Sequence, residues 1–263
     1  MSVYNDVEIK RFSDSLLRAE RNGIGVPPIT TMHSGIKIHD AYKIQLKTIE
    51  QKVKEGEKVV GKKIGLTSKA MQELLGVNQP DYGHLMDGMT VPNLGTIQWE
   101  KVIKPKVEAE IAFILKNEIK GPNITNKDVI EATDYILPAL EIVDSRNDWK
   151  ITIQDTIADN ASSGLYILGD RKFDISEIDL INEEVTLYKN EVIMNKGVGS
   201  ASLGNPVTSV AWLANTLHEY GVALEAGEVI LSGALSAAIE ANKGDNFKAS
   251  FANLGEVKVS FSI

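Results

Sequence analysis

The sequence predicts an α+β protein in which a mixed, curled β-sheet or barrel core follows a helical N-terminal portion. Apolar residues recur at helical spacing in the first sixty residues, whereas short strands dominate from residue 100 onward. Those strands are irregularly spaced with few helices between them, which favours a mixed sheet over a doubly wound parallel one. We therefore expect a mainly helical portion, residues 1–75, and a β-rich core, residues 76–263, that act as one functional unit.

Two amphipathic helices are predicted in the N-terminal portion, one around Asp6 to Arg21 and another from about Asp40 to Val53. Their apolar residues fall near helical spacing, and the Gly/Pro-rich segment 23–29 interrupts the pattern between them.

A strand is expected at residues 59–65, followed by a short third helix. Thr67 or Ser68 is a suitable N-cap for this helix, and Gly76 a suitable end. Its apolar face would consist of Met71, Leu74 and Leu75.

Beyond residue 100 the pattern predicts strands at 105–115, 137–143, 229–233 and 257–261, helices near 126–134 and 207–220, and a hairpin in 184–194. Thr125 and Asp128 form a capping-box pattern at the start of the first of these helices, and Gly221 ends the second. The hairpin is expected to turn at Lys189–Asn190.

Composition excludes several classes of function. A net charge of -8 and a pI near 5.2 argue against a general role in binding nucleic acid or anionic membranes. Because the chain has no cysteine, neither a disulfide scaffold nor a thiol nucleophile is available. The first residues lack an apolar signal core, and no run approaches the roughly 20 apolar residues that span a bilayer. We expect a cytoplasmic protein.

Three carboxylates occupy positions where strand periodicity normally places core residues. Glu108 and Glu110 are two apart in one strand-like segment and so share a face, and Glu141 is the one acid in another apolar run. Bare like charges there would repel, whereas a hard divalent cation removes the difficulty. Three carboxylates favour Mg²⁺ or Mn²⁺ over zinc. The alternative is a solvated edge strand, but residues 111–115 are apolar on both faces.

Two lysines precede a possible anion site. Alternation along residues 59–65 sends one of Lys62 and Lys63 outward and the other inward, although isolated lysines are usually solvated. The following segment 65–68 offers backbone N–H groups at a helix start, which favour a carboxylate. Together these features suit an acidic substrate.

Two further polar segments are less specific. Residues 79–89 hold two acids and a histidine in a turn-rich stretch. Residues 154–164 are rich in small and polar side chains that either line a site or form capping and turn contacts; they include Asp159, Asn160, Ser162 and Ser163.

Five segments together resemble the 2-keto-4-pentenoate hydratase and 4-oxalocrotonate decarboxylase group of the fumarylacetoacetate hydrolase superfamily. They are residues 61–68, 105–112, 138–146, 155–163 and 229–233. The match runs through nearly the whole chain in the same order. The resemblance implies that superfamily's curled sheet or barrel core.

The resemblance also implies roles for individual residues. The metal ligands would be Glu108, Glu110 and Glu141; the catalytic residues Lys63 and Asp81; and the substrate-binding residues Leu66, Thr67, His84 and Ser162. Asp81 and His84 would separate decarboxylation from hydration. Burial beside Mg²⁺ is expected to lower the pKa of Lys63.

The activity implied is metal-dependent decarboxylation of 2-oxo-3-hexenedioate (4-oxalocrotonate) to 2-hydroxypenta-2,4-dienoate and CO2, a carbon–carbon lyase step of the meta-cleavage pathway. The segment 81–89 and Asp144 resemble the decarboxylases more than the hydratases. The alternatives are a 2-hydroxypenta-2,4-dienoate hydratase and a non-catalytic partner of that hydratase. The implied partners are a small 2-oxo dicarboxylic acid, further copies of the chain in a homo-oligomer, and the paired hydratase.

Overall fold

The computed structural model describes residues 4–74, 76–147 and 149–263. The helices are α1 (Asp6–Asn22), α2 (Ile29–Met32), α3 (Ile38–Lys54), α4 (Lys69–Leu74), α5 (Asn126–Ala132), α6 (Ile153–Ala158) and α7 (Pro206–His218). The strands are β1 (Val59–Gly65), β2 (Asp81–Met86), β3 (Thr90–Val91), β4 (Gly95–Ile97), β5 (Lys106–Leu115), β6 (Thr133–Val143), β7 (Ser163–Leu168), β8 (Glu184–Lys189), β9 (Val192–Val198), β10 (Val229–Leu231), β11 (Ile239–Glu240), β12 (Asn246–Phe251) and β13 (Gly255–Phe261). Within the described ranges, no helix combines the length and apolar character needed to cross a membrane.

The two long N-terminal helices form where the apolar spacing predicts them. Asn5 caps α1 by accepting hydrogen bonds from two backbone N–H groups, and Gly23 ends it in the left-handed conformation at φ 64°. The apolar face of α1 is buried and the helix packs on α3. The four-residue α2 was not predicted, because a helix of one turn leaves no measurable periodicity.

The other predicted helices are also present. α4 ends before Gly76, which takes the left-handed conformation at φ 66°. Leu75 lies outside the described residues, as do the side chains of Met71 and Leu74, so the predicted apolar face of this helix stays a prediction. α5 has the Thr125–Asp128 capping box. α6, begun by a second capping box, was not expected as a helix.

The strands form two sheets. One has the order β2-β1-β10-β5-β6-β7-β3 with β11 added beside β5, and the other the order β4-β13-β12-β8-β9. The first sheet is mixed, since β1 pairs with β10 in parallel and β5 pairs with β6 antiparallel. The prediction of a mixed, curled sheet in an α+β fold is confirmed. The hairpin of β8 and β9 turns at Asn190–Glu191, one residue later than predicted, where both residues have positive φ.

Strand β5 lies in the middle of the larger sheet, between β10 and β6. Its odd-numbered residues from Val107 to Leu115 are buried in the main hydrophobic core. Its even-numbered residues Ala112 and Ile114 are buried in a second apolar cluster on the other face. The solvated edge strand considered above is therefore wrong, and Glu108 and Glu110 share the second face. The division of the chain at residues 75 and 76 stays a prediction.

Candidate metal centre and active site

The pairing of β5 with β6 brings the three glutamates together. Glu108 lies directly opposite Glu141 in the antiparallel register, and Glu110 lies opposite Ala139. One carboxylate oxygen from each glutamate lies within 4.8 Å of the others. Glu110 and Glu141 are 1% and 0% exposed, and Glu108 is partly buried. All three carboxylates thus reach one point beside the sheet.

The electrostatics of this cluster disfavour three bare charges. Burial, and next the charge of Glu141, raise the pKa of Glu108 from 4.5 to about 7. Burial also raises the pKa of Glu110 well above its ordinary value, and that of Glu141 despite the lowering effect of Lys63. One oxygen of Glu110 accepts a hydrogen bond from the Gly233 N–H at 2.8 Å.

The remaining oxygens fit a hard cation. Oε1 of Glu110 and Oε2 of Glu141 are buried and have no hydrogen-bond donor within the described part of the chain. Oε1 of Glu141 is also buried, and the Lys63 ammonium group lies 3.3 Å from it. Buried acceptors are normally satisfied. A set of carboxylate oxygens converging within 4.8 Å is the donor set that Mg²⁺ or Mn²⁺ takes.

Lys63 extends from β1 onto the same face. Its Nζ lies 3.3 Å from Glu141 Oε1 and donates a hydrogen bond to the Ala161 carbonyl at 3.0 Å. Burial lowers the pKa of Lys63, but the charges of Glu141, Asp81 and the other glutamates outweigh burial, so the pKa is raised. This rise applies to the site without a cation, so the lowered pKa expected beside Mg²⁺ stays a prediction.

Asp81 begins β2 and faces the same site. In the register it lies opposite Gly65, where a Cβ would come within 2.1 Å of Asp81 Oδ1, so glycine is required there. Among the described residues, neither oxygen of Asp81 has a hydrogen-bond partner. Burial raises the pKa of Asp81 to about 6, against the lowering effect of Lys63. Asp81 can therefore gain or lose a proton near neutral pH.

Leu66 and Thr67 follow β1 directly. Leu66 has a left-handed backbone at φ 56°, and Gln72 of α4 donates a hydrogen bond to its carbonyl at 2.8 Å. Thr67 is buried against Gly233, where a Cβ would come within 2.4 Å of Thr67 Cγ2. Because Gly233 also bonds Glu110, Thr67 lies beside the carboxylate cluster. Gln72 was not identified from the sequence.

Ser162 belongs to an unusual turn. Asn160, Ala161 and Ser162 have φ values of 53°, 52° and 54°, all left-handed. This conformation costs about 1–2 kcal/mol for each non-glycine residue and usually occurs singly. The Ser162 hydroxyl is buried with no hydrogen-bond partner in the described ranges. Strain of this kind is concentrated at functional sites.

A buried ion pair fixes the residues on either side of this turn. Arg146 pairs with Asp159, and its Nη1 donates to the Ser163 carbonyl at 2.7 Å. Burial raises the pKa of Asp159 to about 6 even though Arg146 lowers it. Asp159 and Ser163 thus have structural contacts, whereas the Ser162 hydroxyl has none among the described residues and follows Ala161, whose carbonyl accepts from Lys63.

His84 is the one predicted site residue that the structure places elsewhere. It lies opposite Lys62 in the β1–β2 register, and both side chains are on the face opposite to Lys63 and Asp81. Burial, and then the charge of Lys62, lower the pKa of His84 to about 4. His84 is three residues from Asp81 on a strand, so the two cannot share a face. The register therefore separates His84 from the carboxylate cluster, and its contact with substrate stays a prediction.

Lys62 is buried rather than solvated. Its Nζ contacts both oxygens of Glu228, at 2.6 and 2.7 Å. The side chains of Lys62 and Lys63 therefore lie on opposite faces of the sheet, and each lies beside a glutamate.

The mixed curled sheet and the buried cluster of three glutamates, a lysine and an aspartate define an enzyme with a candidate metal centre. A model of the fumarylacetoacetate (FAA) hydrolase C-terminal domain matches residues 69–262. The chain belongs to the FAA hydrolase family.

Two curated relatives and one solved structure are each similar to more than four-fifths of this chain. A 2-hydroxypent-2,4-dienoate hydratase from Pseudomonas putida is 48% identical over 82% of this chain and 98% of its own length. A 2-hydroxyhexa-2,4-dienoate hydratase from Comamonas testosteroni is 42% identical over 94% of this chain and 95% of its own. The 4-oxalocrotonate decarboxylase from Pseudomonas putida G7, complexed with magnesium and adipate, is 36% identical with a TM-score of 0.96, covering 99% and 100% of the two chains.

Proposed function

We propose that the chain is a divalent-cation-dependent lyase that hydrates 2-hydroxypenta-2,4-dienoate to 4-hydroxy-2-oxopentanoate. The observation that carries the proposal is the buried face on which Lys63 and Asp81 meet the three glutamates. Hydration ranks first because the identity to two hydratases, 48% and 42%, exceeds the 36% to the decarboxylase. This order reverses the one expected from residues 81–89.

The site residues supply binding and charge. Mg²⁺ or Mn²⁺ held by Glu108, Glu110 and Glu141 would act as a Lewis acid on the substrate's carboxylate and C2 oxygen. The Ser162 hydroxyl and the backbone amides around Leu66 and Thr67 hold the carboxylate. The Lys63 ammonium group, which lies beside Glu141, stabilises negative charge that develops on the C2 oxygen.

Asp81 carries the proton transfers. Its carboxylate accepts the proton of the 2-hydroxyl group and delivers it to C5, which gives 2-oxopent-3-enoate. Water then adds across the C3=C4 bond, with oxygen bonding to C4 and a proton reaching C3. A pKa of about 6 suits a group that must both accept and donate a proton near neutral pH.

Decarboxylation of 2-oxo-3-hexenedioate is the second candidate, supported by the structural match to the decarboxylase. Lys106 lies two residues before Glu108 on the same face of β5 and stacks over Trp149, with its Nζ 4.2 Å from the ring centroid. The Cα atoms of Lys106 and Glu108 are about 7 Å apart along the strand, a spacing that suits an ammonium group for the second carboxylate of a 2-oxo dicarboxylic acid. A homo-oligomer, and under this second function a complex with the paired hydratase, remain expectations.

A two-substrate assay tests the proposal. Purified chain with Mg²⁺ is expected to remove the dienoate absorbance of 2-hydroxypenta-2,4-dienoate and to lose this activity in excess EDTA. Release of CO2 from 2-oxo-3-hexenedioate in place of dienoate loss would support the second candidate.

Variants tie the activity to the carboxylate cluster. Glu141→Gln should abolish either reaction, whereas Glu184→Gln, an exposed acid on β8, should not. Full activity in excess chelator, or in Glu141→Gln, contradicts both functions.

A further inference from the structure

The side chain of Asn160 bonds both backbone groups of one residue on β2. Its Oδ1 accepts from the His84 N–H at 2.8 Å, and its Nδ2 donates to the His84 carbonyl at 2.9 Å. β2 is the edge strand of its sheet. One edge of β2 pairs with β1, and the Asn160 side chain bonds the other edge. The carboxamide of Asn160 therefore takes the place that a peptide group of a further strand would occupy.

The backbone of Asn160 opens the left-handed turn that faces the site. The next residue, Ala161, accepts the hydrogen bond from Lys63 Nζ at 3.0 Å, and Ser162 presents its buried hydroxyl. The turn sits directly on β2, since a Cβ at Gly83 would come within 2.4 Å of the Asn160 carbonyl. One side chain thus joins the strand that carries Asp81 to the turn that contacts Lys63.

We propose that Asn160 is a positioning residue for the reaction. Its carboxamide fixes the turn 160–162 against β2, so that the Ala161 carbonyl orients the Lys63 ammonium group and the Ser162 hydroxyl faces the substrate. The role of Lys63 in this inference rests on the proposed function. Asparagine is required because the same side chain must supply one donor and one acceptor; aspartate supplies no donor.

Asn215 provides a matched control within the chain. Its Oδ1 accepts from the Ile124 N–H at 2.8 Å, and its Nδ2 donates to the Ile124 carbonyl at 2.9 Å. The pair of hydrogen bonds is the same, but it joins α7 to the residue before the α5 N-cap rather than to the site. Replacing Asn215 thus reproduces the loss of hydrogen bonds without disturbing Lys63.

The experiment compares kcat, KM and the urea midpoint of Asn160→Ala, Asn160→Asp, Asn160→Gly and Asn215→Ala at saturating Mg²⁺. The Asn160 variants should lose kcat by about 10- to 100-fold, as losses of supporting contacts do. Glycine accepts the left-handed conformation but supplies no hydrogen bond, so it should not rescue kcat. Asn215→Ala should lower the urea midpoint and keep kcat within about two-fold.

Two kinetic outcomes overturn the proposal: full kcat in Asn160→Gly, or an equal kcat loss in Asn215→Ala. A crystal structure of Asn160→Gly gives a readout that is independent of turnover. We expect the Ala161 carbonyl to move out of hydrogen-bonding distance of Lys63 Nζ, and an unchanged turn contradicts the inference. If the wild-type chain converts neither substrate, the proposed function fails, whereas the role of Asn160 is still decided by this structure.

Discussion

Replacing Glu108 with glutamine should stabilise the protein in the presence of EDTA while abolishing its activity. The carboxylate of Glu108 lies within 4.8 Å of those of Glu110 and Glu141, and its pKa is raised to about 7, first by burial and then by Glu141. Glutamine has nearly the same shape but no charge. It therefore removes repulsion within the cluster and a ligand for the cation at the same time.

The pKa shift of Glu108 gives the size of the expected stabilisation. A rise from 4.5 in the unfolded chain to about 7 in the folded protein corresponds to about 3 kcal/mol. Above pH 7 the folded state carries the full penalty of an ionised Glu108, and below pH 4.5 both states are protonated and the penalty vanishes. Because Glu108 is partly exposed, solvent screening weakens this penalty. We therefore expect Glu108→Gln to raise the free energy of unfolding by about 1–2 kcal/mol at pH 8.

Urea unfolding at pH 8 and pH 5, with EDTA and with Mg²⁺, measures these effects. In EDTA at pH 8, the free energy of unfolding of the variant should exceed that of the wild type. At pH 5 the difference between the two should shrink. Mg²⁺ at 100 times its Kd should stabilise the wild type by about 2.7 kcal/mol and the variant far less. A variant that is less stable than the wild type in EDTA at pH 8 would refute the reasoning, and Glu184→Gln serves as the neutral control.

Three further substitutions test Lys63 and Asp81 in the site and the Lys62–Glu228 ion pair on the opposite face of the sheet. Lys63→Met should lower kcat by about 100-fold or more, measured by dienoate consumption, and an unchanged kcat with raised KM would make Lys63 a binding contact only. The wild-type kcat/KM should fall as the pH drops through about 6, because Asp81 then holds a proton, and a pH profile of Asp81→Asn should lack this limb. Lys62→Met should lower the free energy of unfolding measured in urea by about 3–5 kcal/mol, because it leaves the buried Glu228 carboxylate without its lysine. The double variant Lys62→Met with Glu228→Leu should recover most of that loss.

The carboxylate cluster could be predicted in part from local sequence. Residues two apart on a strand share a face, and this rule correctly grouped Glu108 with Glu110. The position of Glu141 opposite Glu108 depends on strand register, which joins residues 33 positions apart. The sequence grouped Glu141 with the other two only because it is an acid alone in an apolar run, and the resemblance to a family gave it the same role. Register is set by non-local packing that the spacing of apolar residues does not contain.

The features that the sequence did not predict also have identifiable physical causes. His84 was assigned to the site from its segment, although strand alternation from Asp81 places it on the other face. Lys62 has its partner Glu228 at a separation of 166 residues, so its burial had no sequence signal. The left-handed turn 160–162 could not be predicted either, because intrinsic preference disfavours three such non-glycine residues in succession.

The charge of the site determines how an anionic substrate can enter. Four carboxylates face one ammonium group, so an excess of three negative charges remains when all are ionised, and two remain when one carboxyl takes up a proton. A 2-oxo acid would meet net repulsion there. We therefore expect oxalate, which has the same pair of chelating oxygens, to bind measurably by calorimetry with Mg²⁺ and not in excess EDTA. Equal oxalate affinity in both conditions would mean that Lys63 and the backbone amides alone bind the carboxylate, and the glutamates would then have no part in substrate binding.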